Sequence, residues 1–170
     1  MPEEGSYSDI SPDDYRSGMR QLAASVNVIT VSHNGERDGL TATAVCSVSV
    51  EPPQLLVCVN RAAGAHDLIQ SEGVFGINVL ARDQEDVAKR FAGIDGVERE
   101  DRYSLGTWTE LTTGAPILVG ALAGFDCLVV EQMTAGTHSI FIGRIVGIQH
   151  NEGAPLLYGD GRFTGLVGRE

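Results

Sequence analysis

The segment from Gly39 to Asn60, "GLTATAVCSVSVEPPQLLVCVN", constrains the fold more than any other. It contains two apolar-rich runs joined by Glu51-Pro52-Pro53. Proline cannot donate a ladder hydrogen bond, so the two prolines predict a connection between two strands. The first run nevertheless carries small hydroxyl side chains where a core strand could hold Val or Ile, at Thr41, Thr43, Ser47 and Ser49.

Two interpretations of this hydroxyl-bearing run stay open at the level of residues. Side chains alternate across a regular strand, which would place Thr41, Thr43, Val45 and Ser47 on one face. That face could be the wet side of an edge strand, since Thr is a good strand former. It could also be the wall of a ligand site, where small side chains allow close approach and polar groups bind. Spacing alone does not identify the ligand.

The rest of the chain predicts a mainly β protein decorated by short helices. Strand-like runs cover residues 26–33, 74–81, 121–135, 138–150 and a hairpin at 155–166, and helix patterns cover residues 11–23, 65–73 and 82–93. These elements do not alternate as βαβ units, so a closed antiparallel barrel is the expected architecture. At 170 residues the chain should form one domain, over residues 11–170, after a flexible acidic arm at residues 1–10.

Charge and missing motifs exclude several functional classes. A net charge of −11 argues against nucleic acid or an anionic membrane as partner. No GxGxxG, P-loop or GxSxG motif occurs, and the histidine spacing predicts no metal site. Neither a signal peptide nor an apolar run of about 20 residues is present, so we expect a cytoplasmic protein. The three cysteines, Cys46, Cys58 and Cys127, are expected to be reduced, small buried hydrophobes.

Four segments together resemble a known family. They are the Gly39–Asn60 segment, "FGINVLARDQEDVAKRFAG", "GTHSIFIGRIVGI" and "PLLYGDGRF", in family order from about residue 15 to 165. The chain thus resembles the short-chain flavin reductases that serve two-component flavin monooxygenases, such as those for 4-hydroxyphenylacetate and phenol hydroxylation. The resemblance implies an FMN-binding split β-barrel, of Greek-key antiparallel type, that works as a homodimer with FMN or FAD near the subunit interface.

The same resemblance implies which residues hold the flavin. They are Thr41, Ala42, Thr43 and Ala44 along the isoalloxazine ring, Ser47, Val48, Cys58, Val59 and Asn60 along the ring and ribityl walls, and Ala65, His66, Phe91, Ala92 and Gly93 on the phosphate and ribityl side. Independently of the resemblance, a helix start near His66 would offer free N–H groups and a positive dipole to a phosphate. Phe91 could instead serve only the core.

Three residues are implied on the nicotinamide side. His138 matches the family's Gly-x-His position, Tyr158 an aromatic near the same pocket, and Asn27 a strand that approaches the flavin in some members. His138 would orient NADH rather than act as an obligatory base. By pattern alone, His138 could be an ordinary surface or core histidine, and Tyr158 could close a hairpin core.

The function implied is NAD(P)H-dependent flavin reduction. Hydride would pass from reduced nicotinamide to FMN or FAD, and the reduced flavin would leave for a separate monooxygenase. This chemistry belongs to the two cofactors and needs no covalent nucleophile. The alternatives are the same barrel reducing a corrinoid or ferric complex, a non-catalytic flavin module, or an FMN oxidase acting on a pyridoxamine-like substrate. FMN against FAD and NADH against NADPH stay open.

Overall fold

The computed structural model describes residues 8–166, so residues 1–7 of the predicted acidic arm lie outside the described range. The strands are β1 Ala24–Ser25, β2 Asn27–His33, β3 Glu36–Ala42, β4 Val45–Val50, β5 Pro53–Asn60, β6 Val74–Val79, β7 Trp108–Thr109, β8 Ile117–Leu118, β9 Ala123–Ala135, β10 His138–His150, β11 Leu157–Gly159 and β12 Arg162–Thr164. The helices are α1 Pro12–Met19, α2 Gly64–Glu72 and α3 Glu85–Phe91, with 3₁₀ turns at Arg82–Gln84 and Arg99–Ser104. The mainly β prediction is confirmed.

The largest sheet closes on itself. Its seven antiparallel strands run in the order β3-β2-β6-β9-β10-β5-β4. The two outermost strands, β3 and β4, are consecutive in the chain and separated only by Thr43 and Ala44. Consecutive Cα atoms are 3.8 Å apart, so Ala42 and Val45 can be at most about 11 Å apart. The sheet must therefore curl until its edges meet, which confirms the predicted barrel.

The Thr43–Ala44 connection also changes which face each side chain occupies. Ala42 and Val45, three positions apart, both pack against the same buried core cluster. One regular strand with Thr41, Thr43 and Val45 on a common face is therefore wrong. The reason is that the chain turns here from one edge of the sheet to the other, which resets the alternation.

Strand β2 is buried on both faces and joins two cores. Ile29 and Val31 belong to the cluster inside the barrel, whereas Val28 belongs to a second cluster beneath α3. Burial of each such side chain contributes about 1.5–3 kcal/mol. This double burial fixes α3 against the barrel and so sets the position of the residues that follow it.

The two other helices differ in how firmly they are held. Helix α1 begins as predicted, because the Ser11 hydroxyl accepts a hydrogen bond from the Asp14 N–H at 3.0 Å. It buries no residue, however, so the predicted apolar face of Tyr15, Met19 and Leu22 does not enter a core. Helix α2 is anchored by buried residues and ends at Glu72, where the following Gly73 caps it with a left-handed φ of 67°. None of the described helices is long and apolar enough to cross a membrane.

The charged stretch at residues 97–102 is largely exposed, as its composition suggests, yet two of its arginine side chains are held against the barrel. Arg99 forms an ion pair with the buried carboxylate of Asp38, and that hydrogen bond raises the pKa of the Arg99 guanidinium. Arg102 donates to the Gly39 carbonyl at 3.0 Å, and the Tyr103 hydroxyl donates to the Asp38 carbonyl at 2.7 Å. These side chains satisfy groups along β3, which within residues 8–166 pairs with another strand only on its β2 side. The segment is thereby clamped to the barrel.

The cysteine prediction is right for one residue and wrong for another. Cys127 is fully buried, and burial raises its pKa to about 12. Cys58 is half-buried, whereas Cys46 is exposed on the outermost strand β4. An apolar sequence context therefore does not bury Cys46, because most of β4 is exposed in the described part of the chain.

Candidate functional site

Two cavities meet at the connection between the two edge strands. The inner cavity, of ≈ 240 Å³, is lined by residues 41–43, Ala92, Ile94, Tyr158 and Phe163. The α1 cavity, of ≈ 400 Å³, lies between α1 and the β11–β12 turn and is also lined by Thr43, Ala44 and Tyr158. Thr43 and Tyr158 are therefore shared walls of the two cavities.

The shared wall offers free backbone donors. The Thr43 carbonyl accepts from the Val45 N–H at 2.9 Å, and the Ala44 carbonyl accepts from the Cys58 N–H at 3.0 Å. Within residues 8–166, the N–H groups of Thr43 and Ala44 donate to no backbone or side-chain acceptor. Both side chains are small and exposed, so a flat molecule with polar edge atoms can approach the backbone. This wall fits the polar edge of a flavin ring.

Thr41 and Ala42 support this wall, but the Thr41 hydroxyl and the Ala42 carbonyl are both hydrogen-bonded within the protein. The Thr41 hydroxyl donates to the Ala88 carbonyl at 2.7 Å and thereby ties the end of β3 to α3. The Ala42 carbonyl accepts from the Asn27 side-chain amide at 3.3 Å. Both residues still line the inner cavity.

Helix α3 ends with a core residue, Phe91, which is followed by two surface residues, Ala92 and Gly93. Phe91 is 2% exposed and packs edge-on against Tyr103, with 5.0 Å between ring centroids. Ala92 and Gly93 follow it at the surface, and Ala92 lines the inner cavity. Phe91 is thus placed as a core side chain that positions its two successors.

A second group of predicted residues gathers where β5 ends and β10 begins. Asn60 and His138 are direct cross-strand partners, and the Cys58 N–H donates a hydrogen bond to the Ala44 carbonyl. The Asn60 side-chain oxygen accepts from the Ala62 N–H at 2.9 Å, and His138 Nδ1 lies 2.9 Å from the Thr137 hydroxyl. The register therefore brings these residues to the same end of the barrel as Ala44.

Besides the core residue Phe91, four predicted residues have side chains that a ligand cannot reach. Val59 is fully buried inside the barrel. Asn27 is also fully buried, and its amide nitrogen donates to the Ser25 carbonyl at 3.0 Å as well as to Ala42, so it braces the strand end. The predicted nicotinamide contact by the Asn27 side chain is therefore not supported, because both faces of β2 are buried at this position.

His66 is the third of these residues. Its ring nitrogens lie 2.8 Å from the Ser139 hydroxyl and 2.8 Å from the Asp67 carboxylate, and its backbone N–H donates to Ala63 at 3.0 Å. These bonds occupy every donor and acceptor nitrogen of the residue, so a phosphate contact through His66 is not supported. Ala65 beside it is buried as well.

Sequence reasoning missed a cation at the start of α2. The Arg99 guanidinium packs so closely on Gly64 that a Cβ there would lie 2.0 Å from its Cζ atom. No sequence signal could have found it, because Arg99 and its buried partner Asp38 are 61 residues apart and no local pattern connects them.

The predicted residues Ser47 and Val48 are exposed on β4 and line neither cavity.

Comparisons with known proteins agree on one family. Residues 19–166 match the family model described as "Flavin reductase like domain". The chain is 39% identical over 160 residues to the FMN reductase (NADH) RutF of Ancylobacter novellus, covering 94% of this chain and 87% of that one.

Two solved structures are similar over most of their length. BorF, the flavin reductase component of a bacterial two-component tryptophan halogenase, has a TM-score of 0.85 and 35% identity, covering 94% of this chain and all of that one (100%). The NADH:FAD oxidoreductase SgcE6 of Streptomyces globisporus, in complex with NAD and FAD fragments, has a TM-score of 0.84 and 28% identity, covering 95% and 98%.

Proposed function

This chain belongs to the flavin reductase family, and from that premise we propose that it transfers hydride from NADH to FMN or FAD held at the Thr43–Ala44 wall. The reduced flavin then leaves for a separate monooxygenase. The observation that carries the proposal is the pair of unpartnered N–H groups at Thr43 and Ala44 between two cavities. Support for the nucleotide comes from the relative named as an NADH-dependent FMN reductase.

The two cavities suit a reaction between two planar molecules. Hydride transfer requires the reacting atoms to be held roughly 3–3.5 Å apart. Thr43 and Tyr158 are common to both cavities, so molecules in each would meet at these two residues. Bound flavin supplies the hydride acceptor, and the chain supplies alignment and backbone donors. His138, at the same end of the barrel, would orient the nicotinamide.

The active unit is a homodimer in this proposal. Large apolar side chains are exposed on β4 and β9, where Val50 is 90% exposed and Val48, Val130 and Met133 are about half exposed. Strand β4 also has an unpaired edge within the described chain. Exposed strand edges and contiguous apolar surface are typical of association sites. A second copy would cover them, and the two-component halogenase reductase supports a separate oxygenase as the recipient of reduced flavin.

A direct assay separates this function from the alternatives. We expect NADH oxidation, followed at 340 nm, only when FMN or FAD is added, and the four flavin and nucleotide pairs define the preference. Flavin binding without NADH oxidation would instead indicate a non-catalytic module. Turnover that requires an added corrinoid or ferric complex would indicate another acceptor.

The His138→Ala variant tests the nicotinamide side. We expect flavin reduction in stopped-flow experiments to slow by roughly 10–100-fold, the effect of a misplaced reactant, with flavin affinity nearly unchanged. The matched control is His150→Ala, because His150 is an exposed residue at the far end of the same strand β10. Reduction of flavin by His138→Ala at wild-type speed would remove His138 from the site.

A further inference from the structure

The α1 cavity carries charge that the proposed reaction has not used. Arg16, in the last turn of α1, and Arg20, at its C-cap, line one side of it. The two residues are four positions apart, a spacing that puts side chains on one side of a helix. The opposite side is the Gly159–Gly161 turn, which is tied to the helix because the Asp160 N–H donates to the Arg20 carbonyl at 2.8 Å.

The balance of charge in this cavity is positive. Its charged lining residues are Arg16, Arg20 and Asp160. Arg16 is paired with Asp13 at 2.5 Å, and Asp160 lies 3.6 Å from Arg162. Arg20 makes no ion pair within residues 8–166. In a chain with 12 basic and 23 acidic residues, an Arg pair facing a cavity that adjoins the Thr43–Ala44 wall indicates an anionic ligand.

We propose that Arg20, assisted by Arg16, binds the pyrophosphate of the nicotinamide dinucleotide, with Thr43 and Tyr158 beneath its nicotinamide end. This inference rests on the proposed function and specifies its second substrate site. Guanidinium groups suit phosphate oxygens because their planar fork donates two parallel hydrogen bonds. The cavity volume of ≈ 400 Å³ lies in the range of small-molecule sites.

A dinucleotide tail fits this cavity better than the flavin tail does. The phosphate side of the flavin is implied at Ala92 and Gly93, and Ala92 lines the inner cavity but not the α1 cavity. Tyr15 and Met19 also line the α1 cavity, and they are 55% and 45% exposed. A bound nucleoside would cover these apolar side chains, for which the described chain has no partner.

The test uses the full chain and the variants Arg20→Gln, Arg16→Gln and Arg20→Lys. We expect Arg20→Gln to raise the KM for NADH roughly tenfold, in line with a lost charge-assisted hydrogen bond, with kcat and the KM for FMN unchanged. Arg16→Gln should have a smaller effect, and Arg20→Lys should recover part of the loss because it keeps the charge. The control is Arg144→Gln, the same change at an exposed Arg that lines neither cavity.

Calorimetry with ADP-ribose separates the inference from the proposed function. ADP-ribose contains the pyrophosphate but no nicotinamide, so its binding does not depend on hydride transfer. Binding to the wild type that weakens in Arg20→Gln supports the site even if the protein does not oxidise NADH, in which case only the proposed function fails. The inference is overturned if the wild type does not bind ADP-ribose, or if Arg20→Gln leaves ADP-ribose binding and the NADH KM unchanged. It is equally overturned if Arg20→Gln raises the KM for FAD alone.

Discussion

Replacement of Phe91 by alanine tests whether this residue holds the site together from the core. Its ring packs at 5.0 Å from Tyr103 and 5.3 Å from Trp108, between ring centroids. It also lies against Gly39 of β3, where a Cβ would come within 2.9 Å of the Phe91 ring. The ring therefore joins α3, β3 and the 99–109 segment.

The expected loss follows from this packing. Phe→Ala substitutions in cores cost about 3–5 kcal/mol, because the transfer free energy is lost and a cavity stays behind. With a denaturant slope of about 2 kcal/mol per molar urea, a loss of about 4 kcal/mol lowers the unfolding midpoint by roughly 2 M. Phe91→Leu, which conserves much of the volume, should cost under about 1.5 kcal/mol.

Urea unfolding followed by tryptophan fluorescence measures this directly, since Trp108 is the only tryptophan of the chain and touches Phe91. Ile94→Ala is the control: this side chain also lines the inner cavity but is 67% exposed, so its removal should change the free energy of unfolding by under about 0.5 kcal/mol. A midpoint shift below about 0.5 M for Phe91→Ala, at an unchanged slope, would refute the core assignment. So would a Phe91→Leu variant that keeps its stability but loses flavin affinity.

Two further predictions concern association and thiol chemistry. Val50→Lys should weaken the proposed dimer, measured by sedimentation equilibrium, at least tenfold per protomer, because it removes about 1.5–3 kcal/mol of apolar burial. The control is Val119→Lys, which changes a half-exposed residue on the segment after β8 and should not weaken the dimer. Equal sedimentation of the two variants would contradict the β4 interface. Cys127, with its pKa raised to about 12 by burial, should react with a thiol reagent at pH 8 only at the rate of global unfolding, and fast labelling of the native protein would show that the barrel opens locally.

Part of the site could be anticipated because it lies in one continuous segment. Thr41 to Ala44 drew attention by their small hydroxyl and methyl side chains, and the structure puts the first three along the inner cavity and Ala44 along the α1 cavity. Their contact with flavin stays a prediction. The phase of the alternation could not be anticipated, because a pattern of period two assumes a continuous strand and the chain turns at Thr43 and Ala44.

Residues joined across the sequence escaped prediction for a related reason. His66 has the residue type of a ligand, but its ring is occupied by Ser139, which lies 73 positions away. Asn27 likewise reads as a polar strand residue, yet it is fully buried as a brace for Ala42. A local sequence pattern predicts which face of an element a side chain occupies, but not which distant group will form its hydrogen bonds.

The sequence by itself determined the β-rich barrel, the start of helix α1 and the segment that carries the site, since periodicity, proline positions and the Ser11 cap act within a few residues. Tertiary structure alone decided which polar groups are free. Closure of the barrel occupied the ring nitrogens of His66 and the amide nitrogen of Asn27, while it left the N–H groups of Thr43 and Ala44 open between two cavities. The physical reason is that hydrogen bonds are satisfied by spatial neighbours, and spatial neighbours are fixed only when the sheet closes.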